Sequence, residues 1–582
     1  MNSIKYKDAL YEPRRLDDLR DLIKSSTRIW GDKPAFLVKD DHKEPFRPIS
    51  FRQWDRTVDA LGTALIDLGL KDKKIAVIGE NSYQWVTTYF ATVNGTGVIV
   101  PIDRELKPPE IANLLNRAQV SALVISKKMR PVIAEVLPLL EQPLEYLIDM
   151  AAAEDSSEAT SWNRLVERGE RLLDDGDRRF LDAPIDRGAM CSLLFTSGTT
   201  GLAKGVMLSH RSIASNVYNM SKYVNVDGYV GLSVLPMHHT YEMTCHVCTG
   251  LFQGFTLVVC EGLKYILANM REAHVTIMLA VPLIYENIHR RIMINARKQG
   301  KLPRLQRAIA LSKKLHLYNH PKICRRLFHE IHEQTGGHIV QFIAGGAAID
   351  PKVVEDFEAM GFPFIQGYGM TEYSPIIAVN KDRYSKADAA GLPMPETEIK
   401  IVDPDADGIG EIYCKGESTM VGYYNNPEQT AEAFDGEWLK TGDYGSFDED
   451  GFLHVAGRKK NVIVTKNGKN VFPEEVEYYL QQSDFIEEVL VHGVEDDRTG
   501  DTVIKAEVYP SYHNIEMTVG VQDEEGLRAL LKDEIDRANE QMPLYKRVRR
   551  FDIRKEEFSK TTTRKIKRYT DVNMDKGEGT KC

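Results

Sequence analysis

Residues 191–210, CSLLFTSGTTGLAKGVMLSH, constrain the chain more than any other stretch. An apolar run, 192–195, enters a turn built from Thr196, Ser197, Gly198, Thr199, Thr200 and Gly201, and Lys204 and Gly205 follow. A short apolar run bounded by turn residues reads as a buried strand. Glycines let backbone N–H groups converge on an anion, the hydroxyls add donors, and the lysine adds charge. Phosphate binding is the natural use of that combination. A plain polar linker is seldom bracketed by an apolar strand and a hydrophobic segment. The Walker pattern does not fit: the sixth position from Gly198 is Ala203, and no Gly-Lys-Ser/Thr follows. The nicotinamide fingerprint fails too, because Gly367 and Gly369 are followed by Glu372 where a third glycine belongs.

Around this loop, β-rich runs at 74–80, 97–103, 122–127, 255–260 and 275–282 alternate with helical patterns such as 50–70 and 109–118. Such alternation predicts a mixed α/β class, with parallel sheets covered by helices. The uncharged runs 81–102 and 243–260 carry polar side chains and glycines, so they read as buried helix–turn–strand pieces rather than membrane spans. Near Arg458 the character changes. A hairpin (461–473), a helix (474–482), strands at 488–494 and 502–509, a long helix (523–541) and a basic tail predict an α+β unit. The expected division is 1–458, a hinge at 459–461, and 462–582. A 582-residue chain with 42% hydrophobic residues can bury cores of that size. The net charge of −10 argues against a general nucleic-acid partner. Seven scattered cysteines and a charged N-terminus without an apolar core predict a cytoplasmic protein.

Three further groups carry chemistry. Gly346 and Ala347 follow the run 339–344, and Tyr368, Gly369, Thr371 and Glu372 follow about twenty residues later. Two glycine turns after two strands suit a flat ligand, with Tyr368 as a stacking face. Thr371 offers a hydroxyl, and Glu372 is a hard oxygen ligand suited to Mg²⁺ bridging phosphates. The carboxylate of Asp443 can accept both hydroxyls of a ribose, and Arg458 lies fifteen residues on. Lys565 belongs to a stretch, 560–568, with five basic residues in nine. By contrast, the histidines and C-x-x-C of 235–248 lack the second ligand pair that structural zinc needs, and the cysteines read as packed thiols.

The loop SGTTGLAKG resembles the AMP-binding signature of the adenylate-forming superfamily, which contains acyl-CoA synthetases, luciferases and peptide-synthetase adenylation domains. Five motifs occur in that family's order, from about residue 22 to residue 568. The resemblance implies a large N-terminal domain of helix-covered parallel sheets plus a distorted barrel, and a small mobile C-terminal lid. It implies ATP, Mg²⁺ and coenzyme A as ligands. Gly346 and Ala347 would line the adenine pocket and Tyr368 would stack on the base. Thr371 would contact the α-phosphate, Glu372 would help hold Mg²⁺, and Asp443 and Arg458 would take the ribose or a phosphate. Lys460 would be the hinge, Gly468 would face the pantetheine tunnel, and Lys565 would be the catalytic lysine. His239 would border the acyl site. Two positions depart from the pattern: Ala203 replaces a proline, and Arg564 replaces the glycine before the lysine.

Acetate-using members place tryptophan at the position of Gly369, so glycine there implies a deep acyl pocket. Amino-acid-activating members place aspartate near His239, whereas this chain has Glu242 close by. A medium or long fatty acid is therefore favoured, and the chain resembles the bacterial long-chain fatty acid–CoA ligases. An acyl carrier protein as acceptor and peripheral contact with a membrane stay open. A kinase-like phosphotransferase and a non-catalytic nucleotide binder are the competing classes. The first would release ADP, and the second would show no carboxylate-dependent pyrophosphate exchange.

Overall fold

The computed structural model describes residues 4–5, 8–39, 41, 43–196, 203–382, 384–465, 469–496, 501–520, 522–560 and 566–568. Packing divides the chain into a larger unit, Ile4–Ile399 with Cys414–Leu439, and a smaller one that includes Lys400–Tyr413 and the chain from Lys440 onward. The smaller unit thus draws in residues upstream of Arg458.

Two sheets organise the larger unit. The first has eight strands, in the order Gly422–Tyr423, Lys204–Ser209, Met190–Thr196, Gly97–Ile102, Lys73–Ile78, Ala122–Ile125, Tyr146–Asp149 and Thr160–Ser161. From Met190–Thr196 onward the neighbours run parallel, and the first two pairings are antiparallel. Ile75, Ala76, Val77 and Ile78 are all buried, as expected of a strand covered on both faces. The second sheet has nine strands. Its centre, Phe364–Gly369, Gln341–Gly345, Ile277–Ala280, Val230–Ser233, Thr256–Val259 and Pro34–Val38, is parallel throughout. The α/β class read from the sequence is the class of the structure.

Local chemistry sets the helices on these sheets. Helix Phe51–Asp67 starts at a capping box in which Ser50 accepts from the Gln53 amide and Gln53 accepts from the Ser50 amide. Its Trp54 is fully buried, edge-on to Phe36 at 5.3 Å and to Phe90 at 5.2 Å. Pairs of this kind add about 0.5–1.5 kcal/mol each beyond area burial. The two uncharged runs are indeed buried helix–turn–strand pieces, Tyr83–Ala91 into Gly97–Ile102 and Tyr241–Phe252 into Thr256–Val259. The first helix breaks at Asn94 and Gly95 and the second widens to π turns at Tyr241–Cys248, features that hydrophobic spacing does not signal.

In the smaller unit, Ile486–Glu495 and Thr502–Pro510 form an antiparallel pair, with Val548–Ile553 added parallel to the second. Helices Pro473–Leu480 and Glu524–Glu540 cover this sheet, burying Val476, Leu480, Leu531 and Ile535 against Val489, Val491, Ala506 and Val508. Val548–Ile553 falls where the sequence reads as a basic tail. Its arginines are only partly or not buried, while Val548 is buried as a strand residue packed on one face.

Candidate functional site

The six parallel strands of the nine-stranded sheet end along one edge, where open α/β folds gather ligands. Three of the expected groups follow those ends. His239 comes after Val230–Ser233, and Gly346 and Ala347 after Gln341–Gly345. Tyr368 and Gly369 close Phe364–Gly369, and Thr371 and Glu372 begin the turn Thr371–Tyr373. Gly346 has φ +86°, a left-handed conformation that favours glycine, and it is exposed together with Ala347.

Close approach explains the other glycines. A Cβ on Gly345 would stand 2.7 Å from the Tyr241 ring, and one on Gly369 would stand 2.0 Å from the carbonyl oxygen of Pro375. Gly369 is therefore demanded by the backbone itself, and it does not by itself measure the depth of an acyl pocket. Asn216 clamps the following turn, donating to the carbonyls of Tyr373 (3.2 Å) and Ile376 (2.9 Å). Tyr373 donates to Thr397 Oγ1 at 3.0 Å.

The Glu372 carboxylate has a partner that the sequence does not announce. The Tyr423 hydroxyl donates to Glu372 Oε1 at 2.9 Å. Burial, and then the Glu372 charge, push the Tyr423 phenol well above its usual range, so it remains a donor. Tyr423 is brought there by β pairing: it stands opposite Val206, and the Tyr424 amide donates to Gly205 O at 2.7 Å. The Lys204 ammonium lies 4.8 Å from the Tyr423 ring centroid. Lys204 is also the register partner of Thr196, which closes the base of the phosphate loop. Arg117 braces that base, donating to Ala203 O at 2.8 Å. Ser197, Gly198, Thr199 and Thr200 lie outside the described residues.

His239 and His238 have ring centroids 4.1 Å apart, and His238 lies 3.6 Å from Asp103. Burial, with some help from Arg104, pushes His238 down to about 3, so it is neutral at ordinary pH. Glu242 Oε1 accepts from Ser233 Oγ at 2.5 Å and lies 3.0 Å from His246 Nδ1, all within the buried interior. Cys245 and Cys248 are buried thiols whose pKa burial raises. No group of three His, Cys, Asp or Glu that could hold a metal occurs among the described residues. Beside this segment lies an apolar cavity of about 40 Å³, bordered by Tyr241, Cys245, Phe255, Leu279, Ile343 and Ile376. Glu372 as a single carboxylate fits magnesium that completes its shell with substrate phosphates and water, rather than a metal caged by protein alone.

In the smaller unit, Asp443 and Arg458 are register partners across the hairpin Trp438–Phe447 and Leu453–Arg458. Arg458 Nε donates to Asp443 Oδ1 at 2.9 Å, which fixes the orientation of that buried carboxylate. Lys459 pairs with Glu411 at 2.6 Å, and Lys460 follows it in the turn Lys459–Asn461. Lys565 and Gly468 lie outside the described residues. The chain on either side of 561–565 is anchored. Lys560 pairs with Glu488 and bridges to Ile566. Arg568 pairs with Glu477 and donates to Val491 O at 3.1 Å.

Residues 24–424 match the family described as "AMP-binding enzyme", and residues 460–571 match "AMP-binding enzyme C-terminal domain". The chain belongs to the AMP-binding enzyme family. This AMP-binding enzyme is 29% identical to human "Long-chain-fatty-acid--CoA ligase 1" over 493 residues, 77% of this chain and 68% of that protein. It is 27% identical to the chloroplastic "Long-chain-fatty-acid--[acyl-carrier-protein] ligase AEE15" of Arabidopsis thaliana over 567 residues, 83% of this chain and 76% of that one. Its fold matches the anthranilate CoA ligase AuaEII, solved with anthranoyl-AMP, with a TM-score of 0.75 at 22% identity, covering 96% and 97% of the two chains.

Within the larger unit of this AMP-binding enzyme, the structure joins Thr196, Lys204 and Glu372 through Tyr423. Within the smaller unit it joins Asp443 to Arg458. Tyr423, Asn216 and Arg117 support the first group, and elsewhere in the smaller unit Glu477 and Glu488 hold Arg568 and Lys560.

Proposed function

We propose that this AMP-binding enzyme activates a fatty acid with ATP and passes the acyl group to coenzyme A. In the first step a carboxylate oxygen attacks the α-phosphorus, pyrophosphate leaves, and an acyl-AMP anhydride forms. Two anions must meet, so cations and N–H donors are the main catalytic requirement. Lys204 and the hydroxyl-rich loop 196–201 would receive the β- and γ-phosphates, and Thr371 the α-phosphate. Magnesium at Glu372 would supply positive charge against the phosphates. Tyr368, Gly346 and Ala347 would hold the adenine, and Asp443, oriented by Arg458, the ribose. Lys565 would bridge the carboxylate and the α-phosphate; losing such a contact typically costs about 10²–10³ in rate. In the second step the thiol attacks the acyl carbon and AMP leaves. We place the hinge for the change between steps at 459–461, with 462–582 as the lid and Gly468 beside the pantetheine arm.

The observation that carries this reading is the Lys204–Tyr423–Glu372 assembly beside the glycine turns at the sheet's carboxyl edge. The names of the relatives and the apolar cavity near His239 support a fatty acid. The cavity is narrow, so its walls, Met220 among them, would part to admit an alkyl chain. The carrier-protein ligase among the relatives favours a second reading for the acceptor. Pyrophosphate release should be measured across fatty acids of graded length, with coenzyme A and a phosphopantetheinyl carrier protein then offered separately. Medium or long acids and coenzyme A are the expected pair. Thioester on the carrier protein alone would replace coenzyme A as acceptor, and no response to any acid would remove the reading.

A further inference from the structure

A second cavity of the larger unit, about 540 Å³ and walled mostly by polar atoms, is not used by the reaction above. Arg15, Arg187 and Arg211 border it, together with Glu396 and Glu417. One hairpin fixes its place. Met190–Thr196, seven residues long, pairs antiparallel with Lys204–Ser209. Thr196 and Lys204 meet at the phosphate-loop end, and Met190 and Ser209 meet at the other. Beyond that other end the Arg211 amide donates to Arg187 O at 2.8 Å, so the two arginines leave the hairpin side by side. A Cβ on Gly188 would stand 3.7 Å from Arg211 Nη2, which places that guanidinium against the turn 186–188. A strand rises about 3.3 Å per residue, so roughly 20 Å separate this end from the phosphate loop.

The charges around the cavity are only partly paired. Arg15 pairs with Asp17 at 2.7 Å, and Glu396 with Lys222 at 2.7 Å. Among the described residues, Arg187, Arg211 and Glu417 have no ion-pair partner. Arg187 Nε is buried and has no acceptor, which is rare in native proteins. Opposite charges thus border one cavity without meeting each other.

We propose that this cavity binds a small phosphate monoester of a polyol. Guanidinium forks match phosphate oxygens two at a time. Glu396 and Glu417 repel a bare anion, so the ligand must also bring donors to them, and hydroxyls do so. Inorganic phosphate answers only the arginines, and a neutral sugar only the carboxylates. The proposal goes beyond the reaction above and stands on the cavity alone.

Isothermal titration calorimetry should be run on the full-length protein with magnesium and a saturating non-hydrolysable ATP analogue. One further site for ribose 5-phosphate is expected, at least about 10-fold tighter than for inorganic phosphate or for ribose. R187Q with R211Q should weaken it about 100-fold. Glu417→Ala, at an exposed position where folding is not at stake, should weaken ribose 5-phosphate about 10-fold and leave inorganic phosphate unweakened. AMP titrated in the same way separates two sources of the chemistry. Binding tighter than ribose 5-phosphate assigns a nucleotide, and weaker binding assigns a sugar phosphate. No heat with ribose 5-phosphate, binding that the ATP analogue abolishes, inorganic phosphate binding as tightly as the ester, or binding insensitive to these substitutions would overturn the proposal. Pyrophosphate release with a fatty acid should be the same in these variants as in the parent, so loss of this site and failure of the reaction read out separately.

Discussion

Tyr423 donates its phenolic hydrogen to Glu372 across a sequence separation of 51 residues. The same ring meets the Lys204 ammonium, so one side chain fixes both the acid and the base expected to face the nucleotide phosphates. Tyr423→Phe keeps the ring under Lys204 and removes only the hydrogen bond to the carboxylate. A hydrogen bond to a charged group is worth about 1.5–3 kcal/mol. We expect kcat/KM for pyrophosphate release to fall about 10- to 100-fold, the magnesium requirement to rise, and the melting temperature to change little. Steady-state assays over a magnesium series check this.

Two glycines at the carboxyl edge should respond differently to a methyl group. At Gly346 a Cβ meets only Val281, at 3.9 Å, so the cost of Gly346→Ala is the left-handed backbone, about 1–2 kcal/mol. At Gly369 the Cβ would press on the Pro375 carbonyl, and the Thr371–Glu372 turn must shift. Gly369→Ala should cost more than about 3 kcal/mol and weaken ATP binding. Thermal unfolding with and without ATP distinguishes the two.

Acidification should destabilise the larger unit through its buried histidines. Burial pushes His238 to about 3 and His332 to about 4, both below the usual 6.5. The unfolded chain therefore binds more protons than the native one as pH falls below 6.5. Their stabilisation is fully present above that pH and declines through the window down to about 3–4, by up to about 1.4 kcal/mol per pH unit for each group. His332→Gln, which can still donate to Met360 O, should melt with a shallower pH dependence than the parent between neutral pH and about 4.5.

Lys565→Ala should abolish acyl-AMP formation and spare thioester formation from supplied acyl-AMP. Arg568, three residues on, pairs with Glu477 and is expected to act by positioning. Arg568→Ala should lower kcat for the first step about 10-fold while leaving KM for ATP unchanged. Replacing Lys460 by Pro should do the reverse, preserving the first step and impairing the second. Equal loss of both steps in the Lys565 variant would refute the lysine's role.

Much of the fold is legible locally. The alternation of β-rich runs with amphipathic helices gives the α/β class, and the glycines at 345–346 and 367–369 mark the strand ends where the candidate site is proposed. What is hidden depends on pairing over distance or on a small change of period. Tyr423 reaches Glu372 because its short strand pairs with Lys204–Ser209, more than two hundred residues earlier, and no local pattern encodes that. The π turns of Tyr241–Cys248 keep nearly the same apolar spacing as an α-helix. Val548–Ile553 is masked by its own arginines, and only its parallel partner Thr502–Pro510 makes it a strand.

The most direct test follows the oxygen atoms. If a carboxylate attacks the α-phosphorus and a thiol later displaces AMP at the acyl carbon, the bridging oxygen leaves with AMP. Turnover of ATP, coenzyme A and a fatty acid labelled with ¹⁸O in both carboxyl oxygens should yield AMP carrying one labelled oxygen per acyl-CoA formed. AMP without label, or ADP as the nucleotide product, would contradict an acyl-adenylate on the path.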